Sequence, residues 1–377
     1  MAGIYIHIPF CKRACVYCNF HFSTSLRLKD DLMKAIHREL ELRSNYLGKN
    51  TRIETIYIGG GTPSLLTADE LNRLFDVIEE QYTLASKIEI TLEANPDDLT
   101  LEKIQAYRKT LINRLSIGVQ SFFEEDLRFM GRTHSAEQAK ICLQNALDSG
   151  FEQLTTDLIY GTPTLSHAHW EENLRTVLKL QIPHLSCYAL TVEPKTALKY
   201  QIDKKIKADI DEEHTALQFE RLLEIAEAKG YEQYEISNFC RPPHYAKHNS
   251  NYWKQIPYLG IGPSAHSFDG KSRQWNLAHN FKYIQAITEN RIASESELLS
   301  ARDLFNEYLL TGLRTKWGVN KLRLQKMIPP EQLKLFEKTI QIPINSGHVQ
   351  ESPSNYYLSP KGRLLANHLI SNLFWTE

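Results

Sequence analysis

Apolar positions alternate with polar ones in the first segment, residues 3–8 (GIYIHI), and then return every three to four residues around Leu32, Ile36 and Leu40. The first rhythm predicts a strand and the second an amphipathic helix, because side chains repeat with a period of two along a strand and 3.6 along a helix. The pair then recurs. IETIYI (residues 53–58) precedes a helical pattern from Asp69 to Ile78, and KIEITLEA, RLSIGVQS, TTDLIYG and HLSCYAL predict four more strands. Helical stretches such as AEQAKICLQNALDSG and WEENLRTVLKL separate them. Strands alternating with helices predict an α/β fold with a parallel sheet, either doubly wound or a partial barrel. In both, chemistry gathers at the carboxyl ends of the strands.

Those ends carry unusual groups. A cysteine cluster follows the first strand, and Gly59, Gly60, Gly61 and Thr62 follow the second. Glu93 closes the third, Gln120 the fourth and Asp157 the fifth. The glycine run is not a phosphate-binding P-loop, since no Gly-Lys-Ser/Thr follows it.

From about residue 300 the pattern becomes mostly helical, with a hairpin-like GHVQESPSNYYLS and a last helix in PKGRLLANHLISNLF. We divide the chain into residues 1–290, the core, and residues 291–377, a small helical domain with a wing that reads as a lid or docking domain.

Composition narrows the function classes. Lys and Arg number 44 against 45 Asp and Glu, a formal charge of -1, so no overall field draws the chain to nucleic acid or anionic lipid. In the winged region Lys316, Lys321, Arg323 and Lys326 are balanced by nearby acids. We therefore expect no nucleic-acid partner. No signal peptide is visible, and no apolar run approaches the roughly 18 residues of a membrane span, which predicts a cytoplasmic protein. Cys142, Cys187 and Cys240 are scattered and do not form the framework of a disulfide-stapled secreted domain. The first two read as small buried hydrophobes, whereas Cys240 lies near His244 and His248 in the sequence.

Cys11, Cys15 and Cys18 have the spacing C-x3-C-x2-C. Thiolates so spaced can converge on a metal centre, and iron–sulfur clusters are held by cysteine thiolates. A structural zinc site would need a fourth ligand, for which only His7 and His21 are near. On a four-iron cluster, three thiolates leave one iron open to a ligand that is not protein.

The segments IYIHIPFCKRACVYCNF, YIGGGTPS, LEANP, RLSIGVQSF, DLIYGTP, YLGIGPSAHSF and SPKGRLL together resemble the radical S-adenosylmethionine (radical SAM) proteins related to oxygen-independent coproporphyrinogen III oxidase. The resemblance spans essentially the whole chain and is strongest to the HemW branch, haem chaperones. It implies a partial (β/α)6 radical SAM barrel with a small C-terminal helical or winged domain. It also implies a 4Fe-4S cluster on Cys11, Cys15 and Cys18, with S-adenosylmethionine on the open iron. Gly60, Gly61, Thr62, Glu93, Gln120, Arg132 and Asp157 would bind that cofactor, with Tyr5 and Tyr17 packed beside it. Thr191 and His266 align with two further contact positions whose residue types differ in the oxidases.

Two departures from the oxidase pattern point to a chaperone. Phe20 stands where the oxidases carry a further cysteine, and their long N-terminal extension has no counterpart ahead of the first strand. HNSNYW, from His248 to Trp253, matches the H-N-x-x-Y-W signature of the HemW branch, which makes His248 the expected haem ligand. The expectation is thus a haem chaperone with haem, an unidentified haem-acceptor protein and an electron donor such as a flavodoxin or ferredoxin as partners. The alternatives are a coproporphyrinogen III oxidase, an oxidoreductase, and a radical enzyme that modifies nucleic acid, the last disfavoured by the neutral charge.

Overall fold

The computed structural model describes residues 1–376. Six parallel strands occur in chain order across the sheet: β1 (Ala2–Ile8), β2 (Arg52–Gly60), β3 (Thr83–Ala94), β4 (Arg114–Gln120), β5 (Gln153–Tyr160) and β6 (His184–Ala189). Each is joined to the next through at least one helix. A doubly wound sheet reverses its strand order at a switch point, and no reversal occurs here. The six units are wound in one direction, as in a partial barrel.

Alternation within each strand decides which side chains meet the helices. The alternate positions Ile4, Ile6, Ile8, Ile56, Ile58, Ile90, Leu92, Leu115 and Ile117 are buried in one large core, packed with helix residues that include Leu32, Ile36, Leu40, Leu71, Leu74 and Leu143. Burying one such aliphatic side chain contributes about 1.5–3 kcal/mol, so this seam between sheet and helices holds the fold. The opposite phase of the same strands carries Tyr5, Tyr57, Glu93, Ser116, Asp157 and Ser186, aligned by the register Tyr5↔Tyr57, Glu93↔Ser116 and Asp157↔Ser186. Polar groups therefore line the inner face. Helix starts are fixed locally: Thr67 with Glu70, and Ser135 with Gln138, form reciprocal capping boxes.

The barrel does not close on itself. β6 continues antiparallel into β8 (Asn238–Cys240) and then β7 (Glu232–Gln233). β1 pairs parallel with β9 (Tyr258–Ile261), and the sheet runs on through β10 (His266–Phe268), β11 (Ser272–Asn276) and β12 (Ser294–Leu298), making twelve strands. β12 falls in the part assigned from the sequence to the C-terminal domain, yet it is the outer strand of the main sheet. Its sequence, SESEL, is almost wholly polar and exposed, as suits an edge that must not recruit another strand.

A second core follows. Phe305, Leu309, Leu313, Leu324, Phe336 and Ile340 pack with Val349, Tyr356 and Leu358 of a three-stranded sheet. Lys316 pairs with Glu232 at 2.7 Å and Arg273 with Glu307 at 2.9 Å, joining this unit to the main sheet. Lys321 pairs with Glu351, and Arg323 donates to Gln255 at 2.7 Å. Among the described residues no helix is long and apolar enough to cross a membrane.

Candidate cofactor site and the adjoining cavity

The cysteine loop leaves the end of β1 and is tied down on several sides. Cys11 N donates to Ser23 O at 3.0 Å, Val16 N to Met130 O at 3.2 Å, and Leu198 N to Val16 O at 2.7 Å. Lys12, within the loop, forms an ion pair with buried Asp98 and lies 3.7 Å from Asp97. Cys11, Cys15 and Cys18 are partly exposed free thiols, whereas Cys142, Cys187 and Cys240 are buried, as expected for the first two. Burial pushes Cys11 up to about 11; a hydrogen bond with Thr62 opposes that shift, and the charges of Cys18 and Cys15 add to it.

The three thiols are thus near enough to sense one another. Among the described residues, however, no three His, Cys, Asp or Glu side chains converge on a single-ion site. Zinc holds its thiolates about 2.3 Å away around one atom. A polynuclear cluster binds each thiolate to a different metal atom and tolerates wider spacing. The donor set fits an iron–sulfur cluster better than zinc.

Gly60 and Gly61 bring backbone against this loop. Gly60 has φ +112°, and a Cβ there would meet the His7 ring at 2.7 Å; one on Gly61 would meet Phe10 O at 2.6 Å and Cys11 Sγ at 3.0 Å. Both positions need glycine. Glu93 accepts from Tyr57 Oη at 2.6 Å and Gly60 N at 3.1 Å. Burial raises the Glu93 carboxyl, and these bonds partly offset the shift. Asp157, which accepts from Ser116 Oγ at 3.2 Å, is pushed up to about 7 by burial first and by the charge of Glu93 second. Two acids so placed can receive an ammonium group or sugar hydroxyls.

Arg132 is no free surface cation. Its guanidinium donates to Asn95 Oδ1 and Gly118 O, each at 2.6 Å, and to Cys15 Sγ at 3.5 Å. Gln120 ends β4 with φ 68°, a left-handed conformation uncommon for a residue other than glycine. Tyr17 packs among Leu127, Met130 and Ile159 near Arg132. Tyr5 donates to His7 Nδ1 at 3.1 Å and stacks on Tyr57, ring centres 6.1 Å apart.

His248 lies elsewhere. It sits on the helix Lys247–Trp253, only 2% exposed, with Nδ1 bonded to Thr55 Oγ1 at 2.7 Å and Nε2 to Tyr252 Oη at 2.9 Å. Its ring stacks on Tyr57 at 5.1 Å. Both nitrogens are engaged, so in this arrangement the imidazole has no lone pair to offer an iron. Tyr252 and Trp253 of the same helix instead line a cavity of about 590 Å³ with Tyr5, Phe20, Tyr258 and Phe268. Phe20 is 68% exposed. Cys240 is buried, and His244 Nδ1 lies 3.3 Å from Gln153 Oε1. Thr191 is exposed beyond β6.

Sequence reasoning missed Tyr57, Asn95, Ser116 and Lys12. The first and third share the alternating phase of Glu93 and Asp157, a signal that was legible. Lys12 and Asn95 act through partners distant in sequence.

The radical SAM superfamily model matches residues 5–177. The chain is similar to the heme chaperone HemW of Bacillus subtilis, 34% identical with 98% of each chain covered. It is also similar to the heme chaperone HemW of Escherichia coli, 37% identical over 100% of this chain and 98% of the relative. Among solved structures, coproporphyrinogen III oxidase (HemN) from Escherichia coli superposes with a TM-score of 0.86 at 22% identity, covering 99% of this chain and 90% of the oxidase. That likeness is one of fold.

Proposed function

We propose, because the chain belongs to the radical SAM superfamily and within it to the HemW/HemN-type proteins, that it is a haem chaperone of the cytoplasm. On this reading it holds haem beside a 4Fe-4S cluster and S-adenosylmethionine and passes the haem to an acceptor protein. The observation that carries the reading is the aromatic-walled cavity next to the cysteine loop. At about 590 Å³ it falls within the roughly 300–1,000 Å³ of cofactor and ligand clefts. Its flat side chains suit a macrocycle, and the full-length relatives are named as haem chaperones.

Cys11, Cys15 and Cys18 would hold the cluster, leaving one iron for the amino and carboxylate groups of S-adenosylmethionine. The pair supplies one-electron cleavage of the sulfonium, with the electron from a donor such as a flavodoxin or ferredoxin. The chain's own residues bind and orient. Glu93 and Asp157 receive donors of the cofactor; Gly60, Gly61 and Thr62 bring backbone close; Gln120 closes the pocket at the end of β4. Arg132 steadies the Cys15 thiolate and offers positive charge to a carboxylate. Tyr5 and Tyr17 exclude water. The partition becomes a core ending after β12 and a docking domain beyond it.

A second reading, oxidation of coproporphyrinogen III, draws on one observation: Tyr5 belongs to both the cofactor site and the cavity, so a bound porphyrinogen would lie beside the cofactor. Phe20 stands against it, occupying the position of a cysteine in the oxidases. Incubating reconstituted protein with coproporphyrinogen III, reductant and S-adenosylmethionine separates the two. The chaperone reading expects no protoporphyrinogen IX and transfer of bound haem to an apo-acceptor; steady turnover would overturn it.

A further inference from the structure

Three histidines line the cavity: His7, His21 and His266. His7 is fully engaged, with Tyr5 Oη at Nδ1 and His21 O 2.9 Å from Nε2. His21 Nε2 is bonded to Asn280 Oδ1 at 2.7 Å. His266 is different. It is exposed at the start of β10, and neither of its ring nitrogens has a hydrogen-bond partner among the described residues.

Its position is nevertheless fixed. The ring stacks on Trp275 of β11, centres 6.1 Å apart and planes 27° from parallel. Gly260 lets the backbone of β10 cross close by, since a Cβ there would lie 2.0 Å from His266 O. Around the same cavity three buried donors lack acceptors, Trp253 Nε1, Gln255 Nε2 and Arg273 Nε, the last on a guanidinium whose Nη2 is paired with Glu307, also in the lining. Unpaired buried donors are uncommon and call for an explanation. A ligand with two carboxylates, such as haem, supplies acceptors once these side chains turn slightly toward it.

We propose that His266, rather than His248, is the axial ligand of a haem bound in this cavity, with its macrocycle against Phe20 and Trp253 and its carboxylates toward Arg273 and Gln255. This rests on the haem reading above. Imidazole nitrogen is a common haem ligand, and His266 carries the accessible lone pair that His248 lacks.

The test compares wild type, His266→Ala, His248→Ala and His21→Ala, each titrated anaerobically with haem and separately with metal-free protoporphyrin IX. Haem is followed by its Soret band and resonance Raman spectrum, and the metal-free ring by fluorescence. His266→Ala is expected to weaken haem by about tenfold or more, as loss of a metal-site contact does. Its Soret band should shift, and added imidazole should restore it. Metal-free protoporphyrin, which needs no axial ligand, should bind nearly as before. An unchanged haem spectrum in His266→Ala, equal loss of both porphyrins, or a ligand-loss spectrum in His21→Ala alone would overturn the assignment while leaving the chaperone reading in place. Failure of wild type to bind either porphyrin would overturn both.

Discussion

Tyr5 divides two regions of opposite construction. On the thiol side, Glu93, Asp157 and Arg132 are held by Tyr57, Ser116, Asn95 and backbone groups at hydrogen-bonding distance. On the cavity side, the His266 ring has no hydrogen bond, Phe20 projects toward solvent, and Trp253 Nε1, Gln255 Nε2 and Arg273 Nε are unpaired, although Arg273 Nη2 is held by Glu307. A site whose groups are already bonded in place favours one small ligand in one geometry. A loosely bonded aromatic site suits a large flat ligand that must enter and leave. On the proposed reading, the first region would keep the cofactor and the second would release the cargo.

The contrast can be broken most severely at the cysteines. Replacing Cys11, Cys15 and Cys18 together by alanine is expected to take iron from about four atoms per chain to almost none, by the four-iron stoichiometry. Cys142→Ala should leave it unchanged. Iron analysis after anaerobic reconstitution reads the result. Next in size, Glu93→Gln should weaken S-adenosylmethionine about ten- to hundredfold, the equivalent of one charged hydrogen bond, with iron and haem binding retained. A parallel loss of haem affinity would merge the two regions into one.

Asp157 gives a smaller, pH-dependent effect. With its carboxyl raised to about 7, the folded chain holds a proton that the unfolded chain has lost above its ordinary value near 4. Folding stability is therefore present at low pH and declines as pH rises through that window, by at most about 1.4 kcal/mol per unit. Asp157→Asn should melt above wild type at pH 8, with the advantage vanishing near pH 4. A constant difference across that range would contradict the buried, raised carboxyl. Lys12→Ala is expected to do least. Lys12 is about half exposed, and a screened pair contributes roughly 0–1 kcal/mol, so the melting temperature should fall slightly while a chelator removes iron somewhat faster.

Much of the thiol side was legible because it follows periodicity. Cysteine spacing marked the loop, and the two-residue rhythm placed Glu93 on the third strand and Asp157 on the fifth, on the same face. The same rhythm contained Tyr57 and Ser116, whose roles emerge only in the folded sheet, where Tyr57 donates to Glu93 and Ser116 to Asp157. β12 escaped because an edge strand with both faces exposed carries no apolar pattern. The surroundings of His248 were hidden for another reason: a motif gives residue types, whereas Thr55 and Tyr252, which occupy its nitrogens, come from a distant strand and the next helical turn. The cavity joins the N-terminal segment, from Tyr5 to His21, to residues from Tyr252 to Thr311, and nothing local announces it.

The separateness of the two regions is tested most directly by titrating the reduced, reconstituted protein with S-adenosylmethionine, followed by electron paramagnetic resonance of the cluster, with and without saturating haem. The account predicts the same cofactor-induced change in the cluster signal and nearly the same affinity in both titrations, with iron retained and haem still bound. Competition between haem and S-adenosylmethionine, or loss of the cluster signal on adding haem, would contradict it.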